Sequence, residues 1–163
     1  MSRKLSPEGL SWSEFLQKFN FNLFLTTTWS YCPKLYKIEK DVKTIVQRLV
    51  KYLSTRLVFV AFVVKGAENM HAHILLKSKD KLEQHSVDYA NDKFNINVDK
   101  YPYKYFYKLS LLETKQDLER CSEYVSSPKN MSRNSAYITE PYGFICSHTR
   151  SLNSSKKWES YLI

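Results

Sequence analysis

Glycine is scarce in this chain: three residues in 163, at Gly9, Gly66 and Gly143. A glycine-rich loop that cradles nucleotide phosphates needs several glycines within a few positions, so a helicase built on such a loop is excluded. With five prolines, no low-complexity stretch and no internal repeat, the sequence offers no linker. One domain over residues 1–163 is expected, an ordinary length for a single core. The three cysteines, Cys32, Cys121 and Cys146, are odd in number and far apart, which fits neither a disulfide framework nor a zinc-ligand pattern. Long apolar runs are missing too. The longest, Leu57 to Val64, falls well short of the ~20 residues that span a bilayer. The basic opening Met1-Ser2-Arg3-Lys4 is not followed by the apolar stretch of a secretory signal. An intracellular protein that does not engage a membrane is expected.

Acidic residues are the minority charge. Asp and Glu number 16 against 25 Lys and Arg, giving a formal net charge of +9, which favours an anionic partner, nucleic acid first. The cations are dispersed as Lys77, Lys79 and Lys81, then Lys100, Lys104 and Lys108, then Lys129, Arg133, Arg150, Lys156 and Lys157. What the chain has in quantity is aromatic side chains, 12 Tyr, 9 Phe and 3 Trp. Such rings can stack unpaired bases, yet an ordinary aromatic core under a lysine-rich surface has the same composition.

Periodicity sets out the elements. Ser11 to Phe19 predicts a short helix opened by a Ser11/Glu14 capping box. Phe21 to Trp29 predicts a strand. Ile38, Val42, Ile45, Val46, Leu49 and Leu53 recur at helical spacing. Leu57 to Val64 predicts a central strand, paired through a turn at residues 65–69 with a strand from Met70 to Leu76. A weaker helix is expected over Asp80 to Asn91, a strand over Tyr101 to Leu112 and a helix over Thr114 to Ser126, closed by Pro128. A last strand is placed at Tyr142 to Ser147. This order predicts an α+β class, with helices packed on a central, mainly antiparallel sheet.

The feature richest in chemistry is Met70-His71-Ala72-His73-Ile74-Leu75-Leu76, which contains two of the four histidines. Side chains alternate on a strand, so His71 and His73 share one face and Ala72, Ile74 and Leu76 the other. Two imidazoles so placed can chelate one divalent ion if a further ligand is near, although a His pair on a strand is more often simply hydrogen-bonded. Thr26 and Thr28 also share a strand face. Tyr101, Tyr103, Tyr105 and Tyr107 alternate on another strand and read mostly as sheet packing, with base stacking as the minority use.

The His-hydrophobic-His strand resembles the second motif of the HUH endonucleases, which include rolling-circle replication initiators (Rep proteins), relaxases and small transposases. Phe24-Leu25-Thr26-Thr27-Thr28 resembles the upstream strand motif of the Rep type, and Tyr124, in Cys121-Ser122-Glu123-Tyr124, matches the nucleophile on a downstream helix. The resemblance spans about the whole chain. It implies a ferredoxin-like or RRM-like sheet, and a divalent ion, Mn²⁺ or Mg²⁺, on His71 and His73. It also implies a site-specific nick in single-stranded DNA or an origin hairpin, made by Tyr124 to leave a 5′-phosphotyrosine and a free 3′-hydroxyl. Such a domain works for a virus or plasmid in the host cytoplasm, as a monomer or homodimer, with a host helicase and polymerase as partners.

Two positions depart from the family pattern. The strand before the His pair often carries a third ligand, and Ala61-Phe62-Val63-Val64 has none. Glu68, in the turn, is the nearest acid, with Asp117 and Glu123 as other candidates. The lysine three residues after the tyrosine is replaced by Ser127, with Lys129 beyond Pro128. Lys129, Arg133, Lys104 and Lys108 are the expected DNA contacts. A transposase with the same chemistry on hairpin ends, and a non-catalytic nucleic-acid-binding module on the same fold, remain alternatives. A two-histidine phosphoesterase is excluded, because it needs two separate His-x-Thr/Ser motifs and neither His71-Ala72-His73 nor His148-Thr149-Arg150 supplies one.

Overall fold

A strand that is apolar at every position must be covered on both faces, and the run at Leu57 is covered in this way. In the computed structural model, which describes residues 13–14, 16–30, 33–65, 69–97, 106–125 and 144–145, it forms β2 (Leu57–Lys65). Phe59, Ala61 and Val63 enter one core, and Val60 and Phe62 the other. The remaining strands are β1 (Leu23–Trp29), β3 (Met70–Ser78), β4 (Phe106–Leu111) and the short β5 (Phe144–Ile145). The helices are α1 (Leu35–Leu53), α2 (Gln84–Asn97) and α3 (Lys115–Val125).

The sheet runs β4-β1-β3-β2-β5, and every adjacent pair is antiparallel. The chain is therefore α+β with an antiparallel sheet, as the element order predicts. β2 is interior, but the centre belongs to β3, the strand carrying the histidines. β1 and β2 both pair antiparallel with β3, so they run parallel to each other with α1 as the crossover and β3 inserted between them, a split βαβ arrangement.

Helices cover both faces. Ile38, Val42, Ile45, Val46, Leu49 and Leu53 of α1 pack with Val87, Ala90 and Phe94 of α2 on Leu23, Leu25, Ala72, Ile74 and Leu76. At the start of α1, buried Asp41 accepts hydrogen bonds from Trp29 Nε1 (3.1 Å) and Lys37 Nζ (2.7 Å), which compensate its charge. On the other face, Leu118 and Val125 of α3 pack with Leu16, Phe19, Phe21, Val60, Phe62 and Leu75. The expected first helix is described at residues 13, 14, 16 and 17, followed by a turn, and Ser11 of its capping box lies outside the described residues.

The helix expected over Asp80 to Asn91 starts and ends later, at Gln84 and Asn97. Asp80 is held outside it: Thr55 Oγ1 donates to Asp80 Oδ2 (3.0 Å), and the Asp80 amide donates back to Thr55 (3.2 Å). The buried spacing Val87, Ala90, Phe94 then carries the helix through an Asn-rich stretch of low helical propensity. Residues 66–68 of the expected turn, the tyrosines at 101, 103 and 105 and most of the last expected strand lie outside the described residues. Among the described residues, no helix is long and apolar enough to cross a membrane.

Candidate functional site

The pleat sorts β3 as the sequence predicts. Ala72, Ile74 and Leu76 are fully buried beneath α1 and α2, which turns His71 and His73 toward the α3 face. Register then sets their neighbours. Thr26 on β1 and Phe62 on β2 are the partners of His73, and Thr28 and Val64 those of His71. Lys108 on β4 pairs with Thr26, so Lys108, Thr26, His73 and Phe62 form one row across four strands.

α3 brings the tyrosine over this row. Leu118, Ser122 and Val125, at i, i+4 and i+7, are its buried face, and Tyr124 sits at the margin, 36% exposed. The Tyr124 ring meets the His73 ring edge-on, centroids 4.9 Å apart at 75°. His71 meets His73 in the same manner, at 4.9 Å and 74°. Phe24 stacks nearly parallel to His73, at 5.7 Å and 13°. The three residues singled out in the sequence, His71 and His73 on β3 and Tyr124 on α3, therefore form one cluster drawn from two elements.

His73 is 3% exposed. Burial, with the neighbouring His71 adding to it, pushes its pKa down to about 3, so the ring is neutral at physiological pH. Its Nδ1 lies 3.4 Å from Thr26 Oγ1, and its Nε2 is buried with no hydrogen-bond partner among the described residues. A buried polar atom without a partner is costly and calls for a reason. A neutral imidazole with one nitrogen held and the other unpartnered is the form in which histidine binds a metal ion. The donor set fits a divalent ion as two imidazoles, with water or phosphate oxygens completing the shell.

Asp117 has another use. Its Oδ2 accepts from the Glu113 and Thr114 amides (both 3.1 Å), and its own amide donates to Thr114 Oγ1 (3.1 Å). This is a capping box at the start of α3. The Thr114 amide, the Thr114 side chain and the Glu113 amide hold the carboxyl below its usual pKa. Glu123 is half-buried beside Tyr124. Among the described residues, no three His, Cys, Asp or Glu side chains group as a metal site. Glu68, Lys129, Arg133 and Lys104 lie outside the described residues, whereas Lys108 is exposed. Lys108 stands two strand spacings, about 10 Å, from His73.

Sequence reasoning placed Thr26 and Thr28 on one face but missed Phe24 as a wall of the site. The signal was the same alternation: Phe24, Thr26 and Thr28 share the face that pairs with His71 and His73.

No protein-family model and no curated protein sequence matches the chain. Among solved structures, the chain is similar to the crystal structure of the hypothetical protein ORF119 from Sulfolobus islandicus rod-shaped virus 1. That match has 14% identity, covers 71% of this chain and 88% of that one, and has a TM-score of 0.41.

Proposed function

We propose that the chain is a metal-assisted nickase and joiner of single-stranded DNA of the HUH type, acting through Tyr124 in the manner of a rolling-circle replication initiator. The observation that carries this reading is the packing of Tyr124, from α3, against the neutral, buried His73 of the His-hydrophobic-His strand, with Tyr-to-His centroids 4.9 Å apart.

His71 and His73 would hold a divalent ion, Mn²⁺ or Mg²⁺, which when bound would supply a positive charge to polarise the phosphate oxygens. Tyr124 supplies the nucleophile. A phenol has a pKa of about 10, so its proton must leave as the oxygen attacks phosphorus. The bond from phosphorus to the 3′-oxygen breaks, that oxygen takes up a proton, and the 5′-phosphate stays on Tyr124. One phosphoester bond is exchanged for another, so the free 3′-hydroxyl can reverse the step and rejoin the strand. Lys108, exposed at the end of the same row, is suited to a neighbouring phosphate.

The test is a covalent adduct. A labelled, randomised single-stranded DNA library is incubated with Mn²⁺ or EDTA, and protein-linked DNA is read on a denaturing gel. The expected result is a Mn²⁺-dependent adduct that is lost in Tyr124→Phe and His73→Ala. Adduct only on folded hairpins favours the transposase reading. DNA binding that survives EDTA with no adduct in any sample contradicts the nickase and favours a non-catalytic binding module.

A further inference from the structure

The orphaned Nε2 of His73 raises a question about its opposite nitrogen. Either tautomer of the neutral ring can bond to Thr26: with the proton on Nδ1 the ring donates to Oγ1, and with the proton on Nε2 the Thr26 hydroxyl donates to Nδ1. The two differ in what they leave buried at Nε2. One leaves a lone pair, and the other an N–H donor with no acceptor.

We infer that Thr26 is a positioning residue, whose hydroxyl accepts the His73 Nδ1 proton and so fixes the tautomer that presents Nε2 as a bare lone pair. Three observations support this. Thr26 is the direct cross-strand partner of His73, so the strand register itself places the hydroxyl beside the ring. The Oγ1-to-Nδ1 separation is 3.4 Å, while among the described residues Nε2 has no hydrogen-bond partner that could accept a proton from it. Phe24 lies flat against one face of the ring, and the His71 and Tyr124 rings meet it at steep angles, which opposes the ring flip that would exchange the two nitrogens.

For its consequence, the inference rests on reading the His pair as a metal site. A partner that holds the far nitrogen of a metal-binding histidine sets both tautomer and orientation, and losing such a partner typically lowers metal affinity about 10–100-fold. Thr26 touches neither the ion nor the DNA in this role and acts only through His73.

The experiment uses the full chain labelled with ¹⁵N at histidine. Long-range ¹H–¹⁵N correlations of the metal-free protein near neutral pH report which imidazole nitrogen is protonated. Wild type is expected to show His73 protonated at Nδ1. Thr26→Val, nearly the same shape without the hydroxyl, is expected to lose that single tautomer and to bind Mn²⁺ about 10–100-fold more weakly, read by electron paramagnetic resonance of the free ion. Thr26→Ser, which restores the hydroxyl, is expected to recover both signals. A wild-type spectrum with the proton on Nε2 overturns the inference without any variant. So does a folded Thr26→Val with wild-type tautomer and affinity. Protonation at Nδ1 together with no Mn²⁺ binding by wild type overturns the metal-site reading instead, so the two failures are distinct.

Discussion

At the scale of single residues, His73, through its burial, ties part of the fold's stability to pH. Its folded pKa of about 3 lies below the ordinary value of 6.5, so between those limits the unfolded chain takes up a proton that the folded chain refuses. The stability tied to this ring is complete above pH 6.5 and declines as the pH falls toward 3. The shift corresponds to a loss on the order of 5 kcal/mol. Urea unfolding of the metal-free protein from pH 7 to pH 4 should show this slope, and His73→Phe should flatten it. An unchanged slope in His73→Phe assigns the acid sensitivity elsewhere. Metal linkage gives the complementary test. At Mn²⁺ about 100-fold above its Kd, wild type should gain about 2.7 kcal/mol, read as a raised thermal midpoint, and His73→Ala should gain nothing.

The His pair was legible from sequence because strand alternation alone puts both rings on one face. Its surroundings were less so. That Thr26 lies opposite His73, and not one residue away, is a matter of register, which depends on which strands pair. A third ligand on the strand before the pair was absent from the sequence, and β2 indeed places Phe62 and Val64 beside the two histidines. Asp117 could not be told from a ligand by spacing, since the offset that puts it on the face of Tyr124 also makes it the fourth residue of a capping box with Thr114.

At the scale of elements, α3 carries Tyr124, the proposed nucleophile, and depends on its cap. Thr114→Ala removes the hydroxyl that accepts the Asp117 amide and should cost about 1 kcal/mol, while Asp117→Asn should leave Mn²⁺ affinity unchanged. Weaker Mn²⁺ binding in a folded Asp117→Asn returns Asp117 to the metal site. At the sheet margin, Asn91 of α2 donates through Nδ2 to the Leu109 carbonyl and accepts from the Leu109 amide, both at 2.9 Å. These bonds occupy backbone groups on β4, a strand at the end of the described sheet, where open groups invite pairing with another chain. Asn91→Ala should cost about 1–3 kcal/mol in chemical unfolding, with self-association rising in sedimentation. The helices and strands with clear periodicity were legible to within a few residues. The exception, α2, shifted because its polar Asn-rich end hides a buried face of Val87, Ala90 and Phe94, and because Asp80 is held in a side-chain network with Thr55 that no local pattern reveals.

At the scale of the molecule, one sheet separates two cores. The α1 and α2 side holds the larger apolar cluster and carries none of the described candidate residues. The α3 side carries His71, His73 and Tyr124, with Lys108 on its open margin. A chain of net charge +9 should bind single-stranded DNA with a log–log salt slope of about −0.7 per phosphate contacted, and Lys108→Ala should make that slope shallower by about 0.7. Affinity that does not change with salt would exclude phosphate contacts as the basis of binding. The α+β class was legible because element order restricts how layers can stack. The position of α3 over β3 was not, because it depends on how the buried face of Leu118, Ser122 and Val125 meets the sheet.

The proposed reaction has Tyr124 attack phosphorus beside an ion held by His71 and His73. The most direct measurement is mass spectrometry of the protein–DNA adduct, trimmed with nuclease and digested with protease. If Tyr124 is the nucleophile, the nucleotide mass rides on the peptide containing it, and no peptide carries that mass when EDTA replaces Mn²⁺. Nucleotide on a different tyrosine, or an adduct on Tyr124 that forms equally well in EDTA, contradicts the claim.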